Sequence, residues 1–153
     1  MFDNLFSNNS DTVNRAAFNL ELTQLDRLAN SLLTVAVIVS FHSTDIAEES
    51  IILGQTQQLS SQEASAFLFD INKSLALVNW INLIAGSIIL NNTLARLEQD
   101  KASLSQNPSL SGKERLKGRE IVVTGNTFKV IGYILAAVGN ETIAESARME
   151  ADS

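Results

Sequence analysis

The chain has no cysteine and a single proline, Pro108, among its 153 residues. Without cysteine it can hold neither a disulfide framework nor a thiolate metal site, and it has no cysteine nucleophile. One proline and seven glycines leave few points at which a helix must end. The composition therefore favours long helices in a chain that is large enough to form one domain.

A surplus of basic residues is also missing, because the formal net charge is −6. Proteins that neutralise nucleic-acid phosphates normally show a basic surface, so we predict no nucleic-acid partner. The first residues, MFDNLFSNNSD, lack the basic and apolar regions of a secretory signal. Insertion into a membrane would therefore depend on internal segments.

Residues that could carry out chemistry are sparse. His42 is the only histidine, and no HExxH or ExxH spacing surrounds it. Glu48 and Glu49 are adjacent, so on a helix they point in different directions and cannot act as an acid/base pair. We predict no catalytic residues, no metal site, no cofactor and no small-molecule substrate.

The apolar residues of the first half recur at helical spacing. One stripe with alternating intervals of four and three residues consists of Phe18, Leu22, Leu25, Ala29, Leu32, Ala36 and Val39. Asp45 followed by Glu48 has the spacing of a capping box, which allows the helix to break near residues 43–45. Residues 1–10, rich in Asn and Ser, are predicted to form a flexible tail.

Two further capping signatures divide the rest of the chain. Ser60 with Glu63 opens a second helical pattern, which runs to about Ser103, and Ser111 with Glu114 opens a third. The segment around Pro108 is the clearest loop. We predict an all-α fold, an antiparallel bundle of three long helices in one domain over residues 11–150.

Charges differ between the two ends of such a bundle. The first turn region carries a net −4 and the C-terminal segment a net −3, whereas the second turn region carries a net +2. Six basic residues cluster around that second turn: Arg96, Lys101, Lys113, Arg115, Lys117 and Arg119. In a membrane this asymmetry predicts a cytoplasmic second turn and a cytoplasmic N-terminus.

Small and polar residues line one face of each of the last two helices. On the third helix Gly125, Gly132 and Gly139 are seven residues apart, and Ala136 and Lys129 accompany them. Interior glycines weaken a helix in water by about 1 kcal/mol each, but small stripes let membrane helices approach closely. We therefore predict that these five residues pack at a helix–helix interface.

On the second helix the corresponding face holds Asn79, Asn82 and Gly86. In lipid, asparagine side chains are expected to turn inward and to form hydrogen bonds with a neighbouring helix. We predict that these three residues also lie at a helix interface.

These patterns leave two functional hypotheses open. The first is a small, non-enzymatic helical membrane protein with a structural or assembly role, forming a homo-oligomer. The alternative is a soluble, cytoplasmic homo-oligomeric bundle, because every apolar middle is interrupted by polar residues and the mean hydropathy is only +0.10. Trp80, which lies in the middle of its segment, also counts against lipid, where Trp favours the membrane edges.

Overall fold

In a computed structural model the chain forms three long helices: α1 (Asp3–Gln55), α2 (Ser61–Gln106) and α3 (Leu110–Ala151). The structure describes residues 3–56 and 59–152, with side chains from Asn14 onward. The predicted all-α fold of three long helices is confirmed. Of the predicted tail, residues 3–10 belong to α1, and Met1 and Phe2 lie outside the described residues.

Helix α1 does not break near residues 43–45, so that alternative is wrong. Ser43 is buried, and its hydroxyl donates to the carbonyl of Val39, one turn earlier in the same helix. Ser50 and Leu53, beyond the predicted break, are also partly buried. The buried face of α1 therefore continues through the predicted break, and its packing outweighs the local capping signal of Asp45.

The start of α2 follows its sequence signature. The Glu63 N–H donates to the Ser60 hydroxyl, and the Ser60 N–H donates to the Glu63 carboxylate at 2.8 Å, which completes the capping box. Hydrogen bonds from the Ser60 side chain and backbone lower the pKa of Glu63. The predicted cap of α2 is confirmed.

The start of α3 differs from the prediction. Ser109, rather than Ser111, caps the helix, and its hydroxyl accepts from the Gly112 N–H at 3.0 Å. Both serines stand before a helical segment, but the Ser109 carbonyl also accepts from the Lys113 N–H at 3.1 Å, so the helical hydrogen bonds begin at Ser109. Helix α3 therefore begins before the position that the Ser111–Glu114 spacing predicts.

Helix α2 lies between the other two helices. It packs against both α1 and α3, whereas no Cα atoms of α1 and α3 approach within 8 Å in the described part of the chain. Asp100 of α2 lies beside Arg119 of α3, Thr93 beside Asn126, and Gly86 beside Tyr133. Residue numbers therefore fall along α2 as they rise along α3. This is the contact order of antiparallel neighbours.

The contacts between helices are made largely by small residues. On α1 the buried positions Leu22, Ala29, Ala36 and Ser43 are seven residues apart. On the other helices Ala76, Ala85, Ala137, Ala144 and Ala147 are buried in the same way. A seven-residue spacing keeps one narrow face against a partner when two helices cross at a small angle.

The large apolar side chains mostly point outward. Val35, Ile84 and Ile131, one from each helix, are 47%, 55% and 46% exposed. They belong to a surface that we call the apolar belt, formed by residues 28–44, 74–95 and 121–140. Lys129 is the only Asp, Glu, Lys or Arg in these segments. At 1.5 Å per residue the three segments are about 25, 33 and 30 Å long.

All three helices are long and apolar enough to cross a membrane. The hydrocarbon core of a bilayer is about 30 Å thick, so the belt segments match it in length. Only 6% of the most apolar 18-residue window of α3 is buried within the chain. The surface of the protein, and not its interior, therefore carries most of its hydrophobicity.

Candidate functional site

Polar side chains join all three helices at one end of the apolar belt. We call this group the polar junction, and it consists of Asp26, Asn92, Thr93, Arg96, Asp100, Arg115, Arg119 and Asn126. Each of these residues makes at least one contact with a different helix. The junction is the densest set of polar contacts between helices in the described chain.

Asn92 and Arg96 of α2 face α1. The Asn92 amide donates to the Leu22 carbonyl at 3.0 Å and to the Asp26 carboxylate at 2.8 Å. Arg96, one turn further along α2, donates to the other Asp26 oxygen at 2.6 Å. The two carboxylate oxygens of Asp26 are thus held by two side chains of one neighbouring helix.

Asn92 is 1% exposed and is the largest fully buried side chain among the described residues. Its Nδ2 group is satisfied, but its Oδ1 atom has no hydrogen-bond partner within the described chain. Burying a polar group is costly unless it is hydrogen-bonded. Asn92 therefore stabilises one specific alignment of α1 with α2, because any shift along the helices would break both of its bonds.

Thr93 and Asp100 of α2 face α3. The Asn126 amide donates to the Thr93 hydroxyl at 3.1 Å. Asp100 accepts from Arg115 at 3.0 Å and from Arg119 at 3.3 Å, and its side chain is only 14% exposed. The α2–α3 contact is thus fixed by a neutral pair inside the belt and by a carboxylate between two guanidinium groups beyond it.

The predicted interface residues of α2 have different environments. Gly86 lies at the α2–α3 contact, and a Cβ atom there would stand 3.2 Å from the Tyr133 ring and 3.4 Å from Val130. Asn79 donates to the Leu75 carbonyl of its own helix instead of to a neighbour. Asn82 is partly buried, with no side-chain hydrogen bond to another described residue.

The predicted glycine stripe of α3 does not touch α1 or α2. A Cβ atom at Gly125, Gly132 or Gly139 would have nothing within 4 Å, and Ala136 is exposed as well. Gly118 lies on the same line and is equally open. Within one chain the stripe is a free surface, so its role as a helix interface stays a prediction that requires a second molecule.

Lys129 lies beside a groove between the helices. It lines a cavity of about 90 Å³ together with Leu33, Gly86, Ile89, Asn126 and Tyr133, which come from all three helices. Asn126, one turn before Lys129, belongs to the polar junction. Lys129 therefore lies one turn deeper in the belt than Asn126, near the middle of the belt segment of α3, and its long side chain can extend towards the basic end.

Trp80 of α2 lies beside the opposite end of the belt segment of α3. Its indole N–H donates to the Glu141 carboxylate at 2.8 Å, and Glu141 is the first charge after the belt segment of α3. Although Trp80 lies inside the belt segment of α2, it is at the same depth as the end of the belt segment of α3. This location removes the objection to a membrane that the sequence position of Trp80 raises.

The residues of the polar junction are not among the predicted interface residues. One signal was present, because Asn92 and Arg96 are one turn apart and Asp26 lies beside the buried stripe of α1. A polar residue at a packing position indicates a partner, but sequence spacing does not identify that partner. Asp26 and Asn92 are separated by 66 residues.

No group of three or more His, Asp or Glu side chains in the described chain could hold a metal ion. No protein-family model matches the sequence, and neither a curated protein nor a solved structure matches it. The function must therefore be inferred from the surface and the contacts of the chain itself.

Proposed function

We propose that the chain is a small, non-enzymatic membrane protein whose three helices cross the bilayer, and that it forms a homo-oligomer with a structural or assembly role. One observation carries the proposal: the helices meet largely through small residues, while many large apolar side chains of the belt point outward on all three helices. A soluble bundle has the opposite arrangement.

The belt is too apolar to remain in water. Soluble monomers rarely expose contiguous apolar patches beyond a few hundred Å². Removing one large aliphatic side chain from water is worth about 1.5–3 kcal/mol, and the belt exposes many of them on every helix. Lipid or another protein molecule must cover this surface.

The distribution of charge favours lipid. The belt segments carry Lys129 alone, whereas charged residues follow directly at both ends, as at Arg27 and Asp45 of α1. Six basic residues surround the turn between α2 and α3, and acidic residues dominate the other end. A protein partner does not require this layering, but a bilayer with a cytoplasmic basic end does. The N-terminus would then also be cytoplasmic.

The open glycine stripe supports an oligomer. Gly125, Gly132 and Gly139 leave a shallow surface on α3 that no other helix of the chain occupies. Small residues on a lipid-facing helix permit close approach of another helix. A second copy of the chain is the partner that we propose for this face.

Extraction of membranes tests the first part of the proposal. Cells expressing the protein are broken, and the membranes are washed with carbonate at high pH and then floated on a density gradient. A membrane-spanning chain stays with the floating lipid and is released only by detergent. Recovery in the carbonate supernatant, followed by purification without detergent, would overturn the proposal and support the soluble bundle instead.

A further inference from the structure

We propose that a cavity at the basic end of the molecule binds a phosphate group, supplied by an anionic lipid. The cavity has a volume of about 460 Å³ and lies just beyond the apolar belt, between all three helices. Its charged lining residues are Arg15 from α1, Arg115 and Arg119 from α3, and Asp100 from α2. The lipid as the source of the phosphate rests on the proposed function.

The charges of the cavity favour an anion. Among the lining residues that the structure describes, three guanidinium groups face one carboxylate, which leaves a formal surplus of two positive charges. Asp100 binds Arg115 and Arg119 and so holds their guanidinium groups in place. Arg15 has no ion pair or hydrogen bond to any other described side chain, so its donors are available to a ligand.

The neutral lining residues suit the same ligand. Asn19, Gln99 and Ser103 can donate hydrogen bonds from amide or hydroxyl groups. One guanidinium group can donate two parallel hydrogen bonds to two phosphate oxygens, which makes arginine better suited than lysine to such a site. The volume is within the range of small-ligand pockets, about 300–1,000 Å³, and exceeds that of a bare phosphate ion.

The location points to lipid as the source of the phosphate. The cavity opens where the three helices leave the belt, which is the depth of the headgroups when the belt spans the hydrocarbon core. Basic pockets between helices on the cytoplasmic side are known to bind anionic headgroups. An acyl chain attached to the phosphate could then follow the belt.

The test measures binding of fluorescent phosphatidic acid to the purified protein in neutral detergent micelles. We expect saturable binding that Arg15→Gln and Arg115→Gln each weaken by about tenfold, the effect of losing one charge-assisted bond. Lys117→Gln is the matched control, because it removes the same charge from a residue that does not line the cavity. Circular dichroism checks that every variant remains helical.

Two outcomes would overturn the site: no saturable binding, or an equal loss of binding in the Lys117 control. Competition by inorganic phosphate at concentrations similar to the lipid would keep the site but make free phosphate the source. Incorporation into phosphatidylcholine vesicles is measured separately. A chain that inserts but shows no Arg15-dependent binding contradicts the site alone, and a chain that binds phosphate but does not insert contradicts the membrane function alone.

Discussion

The amide of Asn92 and the carboxylate of Asp26, 66 residues apart in sequence, meet at 2.8 Å between α2 and α1. Arg96 completes the contact from the next turn of α2 at 2.6 Å. This pairing fixes the alignment of α1 along α2, because neither helix can slide by one turn without separating these groups. It also places the charged edge of α1 level with the charged edge of α2.

Replacement of Asn92 should weaken the α1–α2 contact. Asn92→Ala removes two hydrogen bonds from a buried position and leaves a small cavity, so we expect a loss of about 1–3 kcal/mol in unfolding free energy. Titration with a denaturing detergent, followed by tryptophan fluorescence from Trp80, measures the change. Asn91→Ala, at an exposed neighbouring position, is the control and should cost less than about 0.5 kcal/mol.

The ion pair of Asp26 with Arg96 should contribute less than its short distance suggests. The two side chains are 31% and 29% exposed, so solvent screens part of their attraction. A double-mutant cycle with Asp26→Asn and Arg96→Gln should give a coupling energy of about 1 kcal/mol or less, and high salt should reduce it. A coupling of several kcal/mol that salt does not change would show that the pair is fully desolvated.

Gly86 and Gly132 should respond in opposite ways to larger side chains. Gly86→Leu places atoms against Tyr133 and Val130, and we expect it to destabilise the fold by about 1–3 kcal/mol. Gly132→Ala meets nothing in the chain and should stabilise α3 by up to about 1 kcal/mol. Equal losses at both positions would mean that the glycine stripe is packed inside the monomer.

The glycine stripe of α3 should affect the association of two copies of the chain more than the folding of one copy. Gly132→Leu projects a large side chain from the open face of α3, so it should leave the helices of one chain intact and block close approach of a second copy. Light scattering of the detergent-solubilised protein should show a smaller particle for this variant, while circular dichroism stays unchanged. Met149→Leu, a conservative change at another exposed position of α3, is the control. An unchanged particle mass in Gly132→Leu would contradict the proposed interface.

Much of the fold could be predicted from local signals. Pro108 and the Ser60–Glu63 box locate the two turns, and the helical spacing of apolar residues indicates three helices. The cap of α3 was predicted incorrectly because Ser109 and Ser111 are equally plausible caps by residue type. The hydrogen bond from the Gly112 N–H to the Ser109 hydroxyl, which only the folded chain reveals, distinguishes them.

The polar junction could not be predicted in the same way. Local spacing describes one helix at a time, whereas the pairing of Asp26 with Asn92 depends on the lengths of both helices and on the turn between them. The prediction for Gly86 located a close contact, but Asn79, on the same face, binds its own helix. An asparagine side chain can form its hydrogen bond with its own helix or with a neighbouring helix. Residue spacing alone does not distinguish these two cases.

The orientation in the membrane can be tested because the chain has no cysteine. Single cysteines at Thr56 and Gln106, both exposed at opposite ends, can be labelled with a maleimide that does not cross membranes. With the basic turn inside, intact cells should be labelled at position 56, and position 106 should react only after permeabilisation. The reverse pattern would contradict a cytoplasmic N-terminus.

Spin labels on the belt provide the most direct test of whether lipid covers it. Single cysteines replace Val35, Ile84 and Ile131 in turn, and the label at each position is exposed to oxygen, which partitions into lipid, and to a water-soluble nickel chelate. A lipid-facing belt predicts high oxygen and low nickel accessibility at all three positions in reconstituted vesicles, with the opposite at Thr56 and Gln106. High nickel accessibility at the three belt positions would contradict a membrane-spanning protein.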